Sequence, residues 1–158
     1  MQSEIEIYTD GASRLNPGPS ASGYIVYQDR KVIREHSSYN GVATNNYAEY
    51  RAIIMALEWC RDSLKGAAPA SIRVYSDSKL IINQINGRYK INSFTLLKMN
   101  DEVKSLIRYF VKLEFVHTNR ENTGIVLVDK QLNVLLDRME KMGLHGKKGM
   151  KVNDSKFH

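Results

Sequence analysis

The sequence predicts an α/β protein built on one mixed β-sheet, and three observations point to it. Up to Tyr39 the chain reads as three strand-like runs separated by short polar or proline-containing segments. From Asn45 onward, helical patterns alternate with further strand-like runs. The 158 residues, 42% of them apolar, fit one domain with a real hydrophobic core.

Residues 4–9, "EIEIYT", alternate and read as the first strand. "NPGPSAS", 16–22, reads as a loop, because two prolines and a glycine oppose regular structure. "GYIVYQ", 23–28, and "VIREHSSY", 32–39, flank the turn "DRK" and read as an antiparallel hairpin. A helix follows from Asn45, with Asn45 or Asn46 as its N-cap and Gly66 as its stop. "SIRVYS", 71–76, is a fourth strand. The short helix after it has Ser76 or Asp77 as cap and Gly87 as stop. Residues 95–110 form a third helix, 111–117 a fifth strand and 126–142 a last helix. The order β-β-β-α-β-α-α-β-α implies a sheet that is antiparallel in its first part, with helices packed on it. Residues 1–142 make one domain. Residues 143–158, rich in Gly, Lys and Asn, read as a basic disordered tail.

Charge and composition narrow the function. A net charge of +6 and a pI of about 9.4 suit an anionic partner such as nucleic acid. Part of that charge sits in residues 141–158, where Lys141, Lys147, Lys148, Lys151 and Lys156 face one acid, Asp154. No apolar run approaches the ~20 residues needed to span a bilayer, and the N-terminus lacks a basic region followed by an apolar one. The one cysteine, Cys60, cannot form an internal disulfide. These features set the expectation of a cytoplasmic protein with no membrane partner.

Four acids stand in places that ask for an explanation. Asp10 follows the first strand, where a turn aspartate before Gly11 is the ordinary reading. Glu49 shares a helix face with Ala52, Ile53, Ala56 and Cys60, so it lies on the apolar stripe; alternatively it sits in a first turn and favours the helix dipole. Asp77 closes the fourth strand and would serve as an N-cap. Asp129 reads as a first-turn residue of the last helix, with Leu132, Asn133 and Leu136 on its side. Taken together, two acids at strand ends and two at helix starts can converge on one sheet edge. Clustered carboxylates repel, and a hard cation such as Mg²⁺ relieves that repulsion with oxygen ligands. His36, His117, His145 and His158 lack the spacing of a zinc site.

Three segments, "YTDGASRLNPGPSASGY", "TNNYAEYRAIIMALE" and "YSDSKLIINQINGRYK", resemble the leading motifs of type 1 ribonuclease H, in order and in spacing. The resemblance runs from residue 4 to about 140. It implies a ribonuclease H-like fold, with a five-stranded sheet in the order 3-2-1-4-5. It matches Asp10, Glu49 and Asp77 to the metal-binding carboxylates, with Gly11 beside them, and Asp129 to the fourth. The match at Asp129 departs from the family form: the acid lies later after Arg120, and Val128 replaces an alanine, while Asn133 matches. Asn133 is expected to orient Asp129 or its helix. His117 is the one candidate for the loop histidine of some members. It reads as the end of the fifth strand and is given no chemistry.

The resemblance further implies hydrolysis of the RNA strand of RNA–DNA hybrids, giving 5′-phosphate and 3′-hydroxyl ends. Two Mg²⁺ ions about 4 Å apart, or Mn²⁺ in their place, would straddle the scissile phosphate, with Asp10 bridging them. Gly11, Ser13, Asn16, Asn45 and Asn46 match positions near the cleaved strand, where the asparagines suit the 2′-hydroxyl. Thr44 would hold a phosphate of the DNA strand. Arg88, Lys90 and Lys98 either touch backbone phosphates or form a solvated face. A monomer is expected. Two other readings compete: a non-catalytic module of the same fold, and a DNA nuclease of related fold such as a resolvase or integrase.

Overall fold

The computed structural model describes residues 4–64 and 71–143. Its elements are β1 (Glu4–Ser13), β2 (Gly18–Gln28), β3 (Lys31–Ala43), α1 (Asn45–Ser63), β4 (Ser71–Ser76), α2 (Lys79–Ile85), α3 (Phe94–Ile107), β5 (Leu113–His117) and α4 (Thr123–Lys141). The strands form one sheet in the order β3-β2-β1-β4-β5, the order the resemblance implies. β1, β2 and β3 pair antiparallel, and β4 and β5 join parallel. The sheet separates two apolar clusters. On one side α1, α2 and α3 bury Tyr50, Ile53, Leu57, Ile81, Met99 and Val103 against Ile5, Ile7, Ile72 and Val74. On the other, α4 buries Val128, Leu132, Leu135 and Met139 against Ala21, Ile25 and Tyr39.

Several boundaries move from their sequence expectations, each for a physical reason. β1 continues through Ser13, so Asp10 lies inside the strand, opposite Gly23, and is not a turn residue. β2 begins at Gly18, which shortens the expected loop at 16–22. Pro19 is accommodated near the strand start, and its carbonyl accepts from Arg14 N at 2.9 Å. Ser20, Ala21 and Ser22 look like loop residues in the sequence but are fully buried small residues, Ala21 packing in the α4 cluster and Ser22 facing α1. The Ser22 hydroxyl donates to Ala48 O at 2.6 Å. β3 runs on to Ala43 past an irregularity near Asn40, whose amide donates to the hydroxyls of Ser20 and Ser22 at 2.9 and 2.8 Å. The β2–β3 hairpin closes on Asp29 and Arg30, both with positive φ (49° and 70°), as a two-residue turn of matching twist requires.

The helix caps also differ. Thr44 caps α1 in place of Asn45 or Asn46, accepting from Tyr47 N at 3.1 Å. Ser78 caps α2 in place of Ser76 or Asp77, accepting from Ile81 N at 3.2 Å. α3 begins one residue early on the Ser93 cap and ends at Ile107, and β5 is correspondingly shorter. α4 starts at Thr123, with the Asn122 side chain accepting from Gly124 N at 2.9 Å, so Asp129 lies in its second turn and not its first. The β-branched and apolar run "GIVLV" hides this start, because it carries no polar face of its own. Gly87, with φ of 77°, follows α2 as expected. The Gly66 stop and residues 144–158 of the expected tail lie outside the described residues.

Two glycines permit close layer packing. A Cβ on Gly124 would meet the Tyr8 ring at 2.3 Å, so α4 begins flat against a tyrosine that itself stacks on Tyr75. A Cβ on Gly11 would lie 2.3 Å from the Ala48 carbonyl carbon and 2.4 Å from Glu49 N. Gly11→Ala must therefore push α1 away from β1. It is expected to cost about 1–3 kcal/mol or more in urea denaturation; a variant as stable as wild type would contradict the close approach.

Candidate active site

The carboxyl ends of β1 and β4, the start of α1 and the side of α4 enclose a cleft of about 480 Å³. Asp10 and Glu49 are 5% and 8% exposed, and Asp77 is half-buried beside them. Glu49 lies beyond the first turn of α1, so the helix-dipole explanation does not apply. With Ser78 serving as cap, the Asp77 carboxylate is not needed at the helix start and lines the cleft. Asp10, Glu49 and Asp77 each offer an oxygen, and these oxygens lie within 4.8 Å of one another. Asp129, exposed on α4, lines the same cleft. Its charge raises the pKa values of Asp10 and Asp77. The later position of Asp129 after Arg120 is thus absorbed by the loop and first turn of α4, and the acid still reaches the cleft.

The electrostatics follow from this crowding. Burial, then the Asp77 charge, pushes Asp10 up to about 7, against a bond from Gly11 N at 3.0 Å and one from Glu49. Burial, then the charges of Asp10 and Asp77, raises Glu49 well above the carboxylate range. Burial also raises Asp77, while Arg120 and His117 oppose the shift. The interaction between the two lowers Asp10 and raises Glu49, so a proton shared by the pair favours Glu49. The Ser76 hydroxyl, 3.5 Å from Glu49 Oε2, completes the support. An oxygen-only donor set that retains protons near neutral pH fits a hard divalent cation. Asp10, Glu49 and Asp77 would hold it, with Asp129 at the rim.

The remaining candidates form a hydrogen-bonded shoulder beside the acids. Asn45 Oδ1 accepts from Ser13 N at 2.8 Å, and Asn16 Oδ1 accepts from Asn45 N at 3.0 Å. The Ser13 hydroxyl donates to Ala43 O at 2.9 Å and also meets Leu15 O. These bonds use the amide oxygens and leave the Nδ2 groups as donors. Gly11, Asn45 and Asn46 line the acidic cleft; Asn16, Thr44 and Asn46 line a neighbouring one of about 660 Å³, with Ser93 and Thr95. His117 ends β5, as expected, and is exposed. Arg88, Lys90 and Lys98 are exposed, Lys98 lying over the Phe94 ring at 5.6 Å.

Arg120 was not among the sequence candidates, although it lines the cleft with the acids. Its signal lies in its position between β5 and the Asn122 cap of α4. Any loop there passes the end of β4, next to Asp77. Ser78 was missed because Asp77 competes for the same capping role in the sequence.

A 3-2-1-4-5 sheet with an acidic cleft at the ends of β1 and β4 defines the ribonuclease H-like class. The profile of the RNase H family matches residues 2–127, and the chain belongs to that family. It is 36% identical over 124 residues to the ribonuclease H of Chlorobium luteolum, covering 75% of this chain and 80% of that one. It is 34% identical over 117 residues to the ribonuclease HI of Halobacterium salinarum, covering 73% of this chain and 57% of that one. A bifunctional protein of Mycobacterium tuberculosis is 36% identical over 115 residues, and there the match spans 30% of the longer chain. Among solved structures, LC11-RNase H1 in complex with an RNA/DNA hybrid superposes with a TM-score of 0.80 at 34% identity, over 86% of this chain and 99% of that one. The RNase H1 of Halobacterium salinarum gives a TM-score of 0.78 at 33% identity, over 85% and 98%.

The raised carboxylates carry a pH dependence of known sign. The ordinary value for Asp is 3.8, and Asp10 in the fold stands at about 7. Between these values the folded protein binds more protons than the unfolded chain, so metal-free stability falls as pH rises through that window. In melts with chelator near pH 8, Asp10→Asn is expected to raise Tm, by about 2–4 °C per ~1 kcal/mol of repulsion relieved. Added divalent cation should raise the wild-type Tm there and release protons. A Tm unmoved by both changes would show that the acids do not repel.

Proposed function

We propose that this chain is an endoribonuclease that hydrolyses the RNA strand of RNA–DNA hybrids in the acidic cleft. The carrying observation is the convergence of Asp10, Glu49 and Asp77, with oxygens within 4.8 Å, in a chain of the RNase H family. The hybrid seen with LC11-RNase H1 supports the substrate class. A bound divalent cation supplies the positive charge that polarises the phosphate and activates a water. The chain supplies the rest. Asp10, Glu49 and Asp77 fix the donor oxygens that would hold the cation. Gly11 admits the α1 backbone that brings Glu49 to the cleft. Asn16, Asn45 and Asn46 present amide donors to the 2′-hydroxyls of the cleaved strand. The Thr44 pocket receives a phosphate of the DNA strand, and the Arg120 cation balances charge beside Asp77. Attack by water breaks the bond from phosphorus to the 3′ oxygen, giving 5′-phosphate and 3′-hydroxyl ends.

Mg²⁺ as the ion, Mn²⁺ as its substitute and a monomeric enzyme of residues 1–142 belong to the same proposal. The oxygen-only donors favour the first, and the packing of every described element around one sheet favours the last. A cytoplasmic home rests on the single, buried Cys60. No described helix is long and apolar enough to cross a membrane. The binding-module reading drew on the spacing before Asp129, and Asp129 lines the cleft despite that spacing. The asparagine shoulder favours RNA over the DNA-nuclease reading.

Labelled hybrid, single-stranded RNA, duplex RNA and duplex DNA distinguish these readings, each with and without Mg²⁺. Wild type is expected to cut the hybrid alone, only with metal, and Asp10→Asn to lose at least ~10²–10³ in rate. Hybrid bound but uncut would return the module reading, and cleavage of duplex DNA would return the third.

A further inference from the structure

Arg14 lies directly after β1, on the short turn into β2, where its backbone N–H is tied to Pro19 O. Its side chain crosses to α4. Nη2 lies 2.6 Å from Asp137 Oδ1, and Nη1 lies 3.2 Å from Glu140 Oε2. Nη2 also donates to Asn133 O at 3.2 Å and to Asn133 Oδ1 at 3.3 Å. Asn133 Nδ2 in turn donates to Asp129 O at 3.0 Å and to the Asp129 carboxylate at 3.3 Å. A continuous polar chain therefore links the end of the strand that carries Asp10 to the acid on the rim of the cleft.

The chemistry of this chain has a direction. A guanidinium only donates, and a carboxylate only accepts. An amide between them satisfies both in one orientation, with Oδ1 toward Arg14 and Nδ2 toward Asp129. The reverse orientation sets oxygen against carboxylate on one side and NH₂ against guanidinium on the other. Asp129 stands on an exposed helix face, where its own rotamers are otherwise unrestrained. The two acids Asp137 and Glu140 need only a positive charge, which a lysine would supply. Nη2 alone meets Asp137 and both oxygens of Asn133 while Nη1 takes Glu140, so it is the planar fork that lets one side chain serve all three residues at once.

We infer that Arg14 is a positioning residue, which locks the Asn133 amide and through it holds the Asp129 carboxylate against the metal-binding acids. Its kinetic consequence rests on the hydrolase reading; its consequence for cation binding does not.

The test combines steady-state kinetics on the hybrid, calorimetric titration of the substrate-free protein with Mn²⁺, and thermal melts. Arg14→Lys keeps the charge for Asp137 and Glu140 and loses the fork. It should melt within about 2 °C of wild type yet lose roughly tenfold in kcat at unchanged KM, and bind Mn²⁺ severalfold more weakly. Asn133→Ala should match it, and Asp129→Asn should lose more than either. The Arg14→Lys/Asn133→Ala double variant should be no worse than its weaker parent, because the two act in series. Asp137→Asn, which keeps an acceptor, should lower Tm with kcat within about twofold. Full kcat and Mn²⁺ affinity in Arg14→Lys would overturn the inference, as would multiplying losses in the double variant. A raised KM at constant kcat would overturn it too, showing direct contact with nucleic acid. If wild type cuts no hybrid while Arg14→Lys still weakens Mn²⁺ binding, the hydrolase reading fails and the positioning role stands.

Discussion

Holding Asp10, Glu49 and Asp77 with oxygens within 4.8 Å, in a cleft where two of the three are buried, opposes both desolvation and like-charge repulsion. Much of the architecture near the cleft answers that constraint. The pairing of β1 with β2 runs past Asp10 to Ser13 and holds it opposite Gly23, just beyond the last β4 pair at Tyr8. Gly11 brings the α1 backbone into contact with β1, which delivers Glu49 to within reach. The apolar stripe of α1, from Ala52 to Cys60, anchors that helix in the larger cluster and offsets the cost of its one buried acid. The site is an unstable concentration of charge held by a stable sheet, and a cation converts its repulsion into attraction.

Capping residues perform a division of labour. Each of three helices that border the cleft is capped by a neutral side chain: Thr44, Ser78 and Asn122. An aspartate would cap as well or better. The neutral caps take the helix starts in place of Asp77 and Asn45, which line the cleft, and avoid adding a further negative charge beside an overcrowded site. The local preferences that usually decide a helix start thus give way here to the needs of the acids.

The fold class was legible because its signals are of long range along the chain: alternating runs before Tyr39 and helical periods after Asn45. The four acids were legible through motif context, since each had an ordinary local explanation on its own. What escaped detection shares one cause. Pro19, Ser20 and Ser22 are strand residues because distant β1 and β3 pair with that stretch, and Glu49 is buried because Gly11 admits it. Arg120 and Arg14 matter through partners that the fold brings to them from far along the sequence. Local propensity carries no information about such partners.

The two apolar clusters lie on opposite faces of the sheet and share few side chains, so nothing apolar obliges them to open together. The acidic cleft is where they meet: Glu49 belongs to the helix of one cluster, Asp129 to the helix of the other, and Asp10 to the strand between. An ion bound there recognises only the state in which both halves are in place. By linkage, its binding free energy is withdrawn, wholly or in part, whenever either half opens. The loaded protein then resists opening of α1, which carries Glu49, more strongly than opening of α4, which adds only Asp129 at the rim. In amide exchange, the acidic cleft would thereby couple the opening of the larger core to cation binding, and the smaller core through Asp129.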